Sequence, residues 1–495
     1  MELRGFGDPG VAPPLTKPAW FWPLLIGLCL FRLWAASRVS LLPDEAYYWV
    51  WSRAPAAGYF DHPPMVALWI RFGTAIAGET ELGVRLLGPI SVLAASWLML
   101  RAARDLLPDA DPTVAMLAAL MMNATLLWGV ADQAMTPDVP LLFFWVLALW
   151  AMGRLVATGR GSWWLAVGLA AGAAMASKYT ALLLPIGILL WLLERGRRFW
   201  WRSPWLYGGG GLALALFAPV LGWNAAHHWA SFVRQGGRVA DFALNHAFAD
   251  EAELILSQFA IATPIIAVLC AIGAIAAARR WRDPAFGLLA ALIWPGVALF
   301  VEHALGDRVE ANWPAVIFPA AVLAAAHAGS RWAWPGTWLG LALGVLILLQ
   351  LSVGLVRLPR GLADLPTGPS AAEDFAAAVV LHGSGARYIA TDDYGLAALL
   401  AWYLPGKTQV LAVEPRWREF DLPPAAPVLK ASAGVLMVRA RAGAGTLWTN
   451  KTLIARIPSA RGRQAELLYS IPAAAPGASA MVGAVMPRRE KIAGD

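Results

Sequence analysis

Residues 19–37 read AWFWPLLIGLCLFRLWAAS, and the polar stretch after them opens Leu42-Pro43-Asp44-Glu45-Ala46-Tyr47-Tyr48-Trp49. The first run is apolar along nearly its whole length. It matches the roughly 20 residues that one helical bilayer crossing requires. Similar runs lie near 83–103, 113–131, 138–157, 162–177, 179–194, 205–222, 254–277, 284–302, 313–328 and 336–356. The expectation is a mainly α, polytopic membrane protein with about eleven transmembrane helices and a long first outer loop. Composition agrees. Of 495 residues, 59% are hydrophobic and 14% charged, and the mean hydropathy is +0.57. An ordinary soluble domain has about 45–50% apolar and about 25% charged residues. A disordered chain, a nucleic-acid-binding tail protein and an ordinary soluble enzyme are thereby excluded. The first run ends in Arg38 without a small-residue cleavage site, so it is expected to stay as a helix.

The 39 basic and 32 acidic residues give a net charge of +7. The basic residues lie in short clusters between apolar runs. With a cytoplasmic N-terminus, the inner loops carry Arg101 and Arg104, Arg154 and Arg160, the Arg195–Arg202 cluster, Arg279–Arg282 and Arg331, whereas the outer loop 132–137 has no Lys or Arg. This is the positive-inside pattern, and many of the 27 Trp residues sit at span ends, as interfacial anchors do. Cys29 and Cys270 both lie in apolar runs and offer neither a disulfide framework nor a zinc site.

After about residue 357 no further span follows. Strands are expected at Arg387–Ala390, Thr408–Val413, Val435–Arg439 and Leu467–Ile471, with a helix over Tyr394–Tyr403. The chain therefore divides into a transmembrane part, 1–356, and a small C-terminal α/β periplasmic domain, 357–495, with a Pro/Ala-rich, frayed tail.

Acidic groups at a membrane surface carry the information, because burying charge in lipid is costly. Pro43 suits the first turn of a short helix, with Asp44 and Glu45 at its positive end. Such a carboxylate either favours the helix start or accepts a proton from an attacking hydroxyl. Gly58-Tyr59-Phe60-Asp61-His62-Pro63-Pro64 reads as a tight aromatic turn in which Asp61 caps the next segment or His62 meets a phosphate. In Asp132-Gln133-Ala134-Met135-Thr136-Pro137-Asp138, Thr136 is expected as an N-cap and Pro137 as the first helical residue. Lys178, in Ser177-Lys178-Tyr179, either snorkels or binds an anion. The outer loop Glu302–Pro314 combines Arg308, Glu310, Asn312 and Trp313, a set that suits a sugar phosphate or a solvated loop equally. The loop 223–253 adds His227, His228, Arg234, Arg238 and His246, but adjacent histidines lack the separated spacing of a helical metal site. Gly5–Gly10 fits a dinucleotide fingerprint by accident, since no strand precedes it. Gly208–Gly211 lacks the Lys-Ser/Thr of a phosphate loop and reads as a flexible or close-packing helix start.

Taken together, these outer-loop segments resemble the bacterial GT-C membrane glycosyltransferases of families 39 and 83, related to the dolichyl-phosphate-mannose–protein mannosyltransferases. The match rests on Leu42–Trp49 with Gly58–Pro64, Thr136–Leu141, Ser177–Thr180, Glu310–Pro314 and Asp393-Tyr394-Gly395-Leu396-Ala397-Ala398. The resemblance implies an inverting transfer of a hexosyl or pentosyl unit from a polyprenyl-phosphate donor to an envelope acceptor, either lipid A, lipopolysaccharide core or another glycan. It implies an inner-membrane location with the active site on the periplasmic face. Asp44 is then the general base or the acceptor-orienting group, and Glu45 its support. Tyr47, Tyr59, Asp61 and His62 in the first loop, with Asp138 and Tyr179, are implied substrate contacts, as are Glu310, Asn312 and Trp313. The aminoarabinose transferases of lipid A, which are similar, have an acid and a Lys where this chain has Asp61 and His62. Lys178 therefore becomes the first-choice phosphate contact, followed by Arg85 and Arg308. The first loop looks especially like transferases that add uronic acid to lipopolysaccharide core or lipid A. No cofactor is implied, and no metal is indicated. The alternative is a transporter or flippase of lipid-linked sugars, for which inverted repeats and midplane charges would be needed; neither is evident.

Overall fold

The computed structural model describes residues 19–236, 244–356, 371–383, 386–404, 408–413, 417, 432–439, 450–458, 465–471 and 483–485. The Gly5–Gly10 fingerprint, Arg238 and the residues after 485 lie outside this set.

The first apolar run forms the helix Phe21–Ala36, and Pro43 opens the short helix Pro43–Arg53 as its first residue. Glu45 closes that helix start by accepting from the Leu42 backbone N–H at 2.9 Å. A second outer helix, Met65–Ala77, ends at Gly78, whose φ of +75° a side chain would oppose. Thr80 then caps Glu81–Arg85, which runs into the helix Leu87–Leu106.

Among the described residues five helices are each long and apolar enough to cross a bilayer, or eight if each bent pair is one crossing. Two of the three bent pairs have visible causes. Thr125 is extended between Pro112–Ala124 and Leu126–Gly129, and the two axes meet at 70°. The helix Leu244–Ala262 turns by 108° into Pro264–Arg279 where Thr263 adopts φ +67° ahead of Pro264. In the glycine run at 208–211, Gly209 serves close packing, whereas a Cβ on Gly210 or Gly211 would meet nothing within 4 Å. A Cβ on Gly168 would overlap the carbonyl oxygen of Gly209, so the helices Trp163–Met175 and Pro204–Ala226 meet backbone to backbone.

Two buried polar knots tie the helices together. Arg32 donates to Asn123 Oδ1 at 2.7 Å, and Asn123 Nδ2 donates to Ser96 Oγ at 2.7 Å. Arg85 and Glu45, 3% and 0% exposed, form an ion pair through two guanidinium nitrogens. Arg85 also donates to the carbonyls of Ala36 and Ser40, and Glu45 Oε1 accepts from the Met135 backbone N–H at 2.9 Å. Every group of the pair is satisfied, as burial demands. Three segments distant in sequence, 36–45, Arg85 and Met135, are thereby fixed around the first turn of Pro43–Arg53.

The C-terminal strands form one six-stranded sheet. They are β1 (Tyr388–Thr391), β2 (Gln409–Ala412), β3 (Gly434–Arg439), β4 (Thr452–Pro458), β5 (Ala465–Ile471) and β6 (Gly483–Val485), in the order β4-β5-β3-β1-β2-β6. β1 is parallel to β2 and β3, and the outer pairings are antiparallel. The helix Tyr394–Tyr403 follows β1, capped by Asp393, and packs on Pro43–Arg53. The Trp49 and Trp402 rings meet edge to face at 4.9 Å. Tyr403 Oη accepts from the Leu41 backbone N–H at 2.8 Å and donates to Glu81 at 3.2 Å. This docking brings the sheet segment to the same polar end of the helices as the first outer loop.

Candidate active site

A cavity of about 720 Å³ lies between the first outer loop, the helix starts at Asp138 and Tyr179, the loop after 226 and the Glu310–Trp313 segment. Asp44 stands at its rim in the first turn of Pro43–Arg53 and accepts from Tyr394 Oη at 3.0 Å. Tyr47 and Tyr48 follow on the same short helix. Tyr47 Oη donates to Asp61 Oδ2 at 2.9 Å. The Tyr48 phenol is held well above its usual range, first by burial and then by the Asp44 and Asp61 carboxylates, so it stays neutral and can donate. The turn carrying Asp61 and His62 lies under Trp223: a Cβ on Gly58 would stand 2.9 Å from that ring, which is why glycine fits there.

The opposite wall is built on Asp138. Lys178 Nζ donates to its two oxygens at 2.7 and 2.9 Å, and Asn312 Nδ2 donates to Oδ2 at 2.6 Å. Lys178 is only 6% exposed and sits in extended backbone between two helices, so it does not snorkel. Its charge is answered by Asp138, which leaves it a scaffold for the wall. Thr136 does not act as a side-chain cap: Pro137 occupies the N-cap, and the Thr136 carbonyl accepts from Val139 N–H instead. Tyr179 Oη pairs with Ser231 Oγ at 2.8 Å and accepts from Asn224 at 3.2 Å.

Four residues nominated from the sequence do not line the cavity. Glu45 is buried against Arg85 and cannot reach a substrate, so it supports Asp44 only by fixing the backbone beneath it. Arg85 is consumed by that same pair. Tyr59 stacks on Trp51 at 4.4 Å, and its hydroxyl donates to the Trp51 carbonyl at 2.9 Å; burial pushes this phenol up to about 12. Arg308 is exposed and paired with Glu253 at 2.6 Å and with Glu310 at 3.6 Å. Tyr47, Asp61, His62, Asp138, Lys178, Tyr179, Glu310, Asn312 and Trp313 do line it, with Asp44.

The structure adds residues that sequence reading did not select. Consecutive positive φ angles at His228 (54°) and Trp229 (60°) reverse the chain after Pro204–Ala226. They direct the helix Ala230–Gly236 back to the cavity, where Gln235 Nε2 donates to the Asp61 carbonyl at 2.8 Å. Arg234 lines the same wall, and its Nε lies 4.0 Å from Asp61 Oδ1, its one ion pair among the described residues. Its guanidinium is far less committed than Lys178 or Arg85. An arginine retained on a face that the positive-inside pattern depletes was the available signal. His303, 6% exposed, lines the cavity with its ring against Trp313 at 5.3 Å. Its Nε2 has no hydrogen-bond partner among the described residues, and its position at the end of an apolar outer-facing helix was its signal. No group of three or more His, Cys, Asp or Glu side chains among the described residues is placed to hold a metal ion.

Against solved structures, the chain superposes on ArnT from Cupriavidus metallidurans bound to undecaprenyl phosphate with a TM-score of 0.64, covering 91% of this chain and 98% of that one at 15% identity. The chain has a GT-C fold. The family model described as dolichyl-phosphate-mannose-protein mannosyltransferase matches residues 61–223 of this GT-C chain. A lipid A galacturonosyltransferase, RgtD, of Rhizobium johnstonii is 28% identical over 310 residues, which are 61% of this chain and 64% of that protein. The undecaprenyl phosphate-alpha-4-amino-4-deoxy-L-arabinose arabinosyl transferase of Pseudomonas aeruginosa is 32% identical over 225 residues, which are 41% of this chain and 40% of that protein. The chain thus spans less than two thirds of these relatives' own lengths. The family resemblance carried by the outer-loop motifs holds, and the GT-C chain is an integral membrane protein.

Proposed function

We propose that this GT-C chain is an inverting glycosyltransferase that moves a sugar from a polyprenyl phosphate to lipid A or another envelope glycan. The observation that carries the reading is one cavity with an accessible carboxylate, Asp44, at its rim and a weakly committed guanidinium, Arg234, on its wall. An acceptor hydroxyl attacks the anomeric carbon, the bond from that carbon to the phosphate oxygen breaks, and the proton passes to Asp44. Arg234, with His62 lining the same cavity, meets the charge on the departing phosphate. The Asp138–Lys178–Asn312 cluster and His303 offer polar contacts for the sugar. Leu182, Ile186 and Leu299 line the cavity and are more than a third exposed on apolar helices, so a prenyl chain has a lateral way in from the bilayer. The likeness to a galacturonosyltransferase, and the His at 62, favour a uronic acid as the transferred sugar.

Eleven crossings follow if the five long helices and three bent pairs are joined by the shorter apolar helices Phe21–Ala36, Trp163–Met175 and Trp313–His327. The catalytic part is then 1–356 and the periplasmic α/β domain 357–495, in the inner membrane with the cavity facing the periplasm.

Mass spectrometry of lipid A, core oligosaccharide and other envelope glycans, comparing wild type with a deletion strain, tests the reading. Loss of one sugar mass is expected; unchanged masses throughout would overturn it in favour of a transport role. Arg234→Ala is expected to weaken binding of undecaprenyl phosphate by about tenfold, the scale of one charge-assisted contact. Titration of the purified protein with that lipid checks this, and an unchanged affinity would remove Arg234 from the phosphate site.

A further inference from the structure

The C-terminal sheet segment reaches the rim of the cavity. Tyr394 opens the helix that follows β1 and lines the cavity with Asp44, 350 residues away in sequence. Its hydroxyl donates to Asp44 Oδ1 at 3.0 Å. Its ring meets that of Tyr47 edge to face at 4.6 Å, and Trp417 meets the other side of Tyr47 at 5.3 Å. Tyr47 in turn donates to Asp61. Asp44 itself is exposed in the first turn of its helix, and its one side-chain hydrogen bond among the described residues is the one from Tyr394.

We propose that Tyr394 is a positioning residue that holds the Asp44 carboxylate for proton transfer, so that the C-terminal segment completes the active site. This rests on the reading of Asp44 as the base. The bond occupies Oδ1 and leaves Oδ2 for an acceptor hydroxyl in the cavity that Asp44 lines. A charge-assisted bond from a phenol is strong enough to select one rotamer of an exposed side chain. The ring is anchored independently, through Tyr47 and through the Trp49–Trp402 contact of the same helix, so the hydroxyl arrives preorganised.

The test uses the full-length protein in detergent, with the polyprenyl-phosphate lipid extract of the deletion strain as donor and its membranes as acceptor. Tyr394→Phe keeps the ring and removes one hydroxyl. It is expected to lower the maximal rate about tenfold while undecaprenyl phosphate affinity and the thermal midpoint stay as in the wild type. Tyr403→Phe removes a hydroxyl from the same domain contact without touching Asp44. It is expected to lower the midpoint and leave the maximal rate per folded molecule unchanged. A wild-type rate in Tyr394→Phe, or an equal loss of rate in both variants, overturns the proposal. Asp44→Asn in the same assay separates the two readings: if it retains activity, the base assignment fails first, whereas if it is inactive and Tyr394→Phe is not impaired, only the positioning role fails.

Discussion

Asp44→Asn is expected to lower transfer by about a thousandfold, within the range that general-base removal costs, while insertion and fold are retained. The side chains are nearly isosteric. The amide still accepts from Tyr394 at its oxygen, and Asp44 carries none of the buried ion pairs. On the proposed mechanism, what is lost is the group that takes the acceptor proton. A leaving polyprenyl phosphate needs little acid assistance, so that mechanism asks the chain's residues for a base and a phosphate contact. Complementation of a deletion strain with the variant, read as the mass of the added sugar on lipid A or core, is the direct check. Restored sugar at wild-type level would end the role assigned to Asp44.

Arg85→Met is expected to act on the fold rather than on chemistry. Removing one partner of a buried ion pair leaves the other charged and desolvated, at a cost of about 3–5 kcal/mol. Glu45 would remain 0% exposed with only the Leu42 and Met135 backbone donors. The first turn carrying Asp44 and the loop before Asp138 would lose their common anchor. The expected result is a large fall in the yield of monodisperse protein after detergent extraction. Glu45→Gln together with Arg85→Met recovers part of it, because no lone charge is left buried. Equal yields for Arg85→Met and wild type would show that the knot is dispensable.

The two arginines illustrate how sequence and structure divide the evidence. Arg85 and Arg234 both fall in stretches that the sequence reading places on the outer side, as basic residues near aromatic loops. Nothing local distinguishes them. Partner choice does, and the partners lie 40 residues away for Arg85 and 173 for the nearest carboxylate of Arg234. Lys178 shows the same limit. Its isolation between apolar runs left anion binding and snorkelling equally open; the pair with Asp138 excludes snorkelling and answers the charge that a free anion would meet.

The sequence by itself determined what depends on neighbours along the chain: apolar runs of bilayer length, the start of Pro43–Arg53 at a proline, the helix Tyr394–Tyr403 and the strands β1, β2, β3 and β5 but not β4 or β6, and the motif order that resembles the GT-C transferases. Tertiary structure alone decided which charges cancel. Asp44 and Glu45 are adjacent, yet successive residues of a helix point about 100° apart. That rotation sends Glu45 inward to Arg85 and leaves Asp44 at the rim under a tyrosine from the far end of the chain.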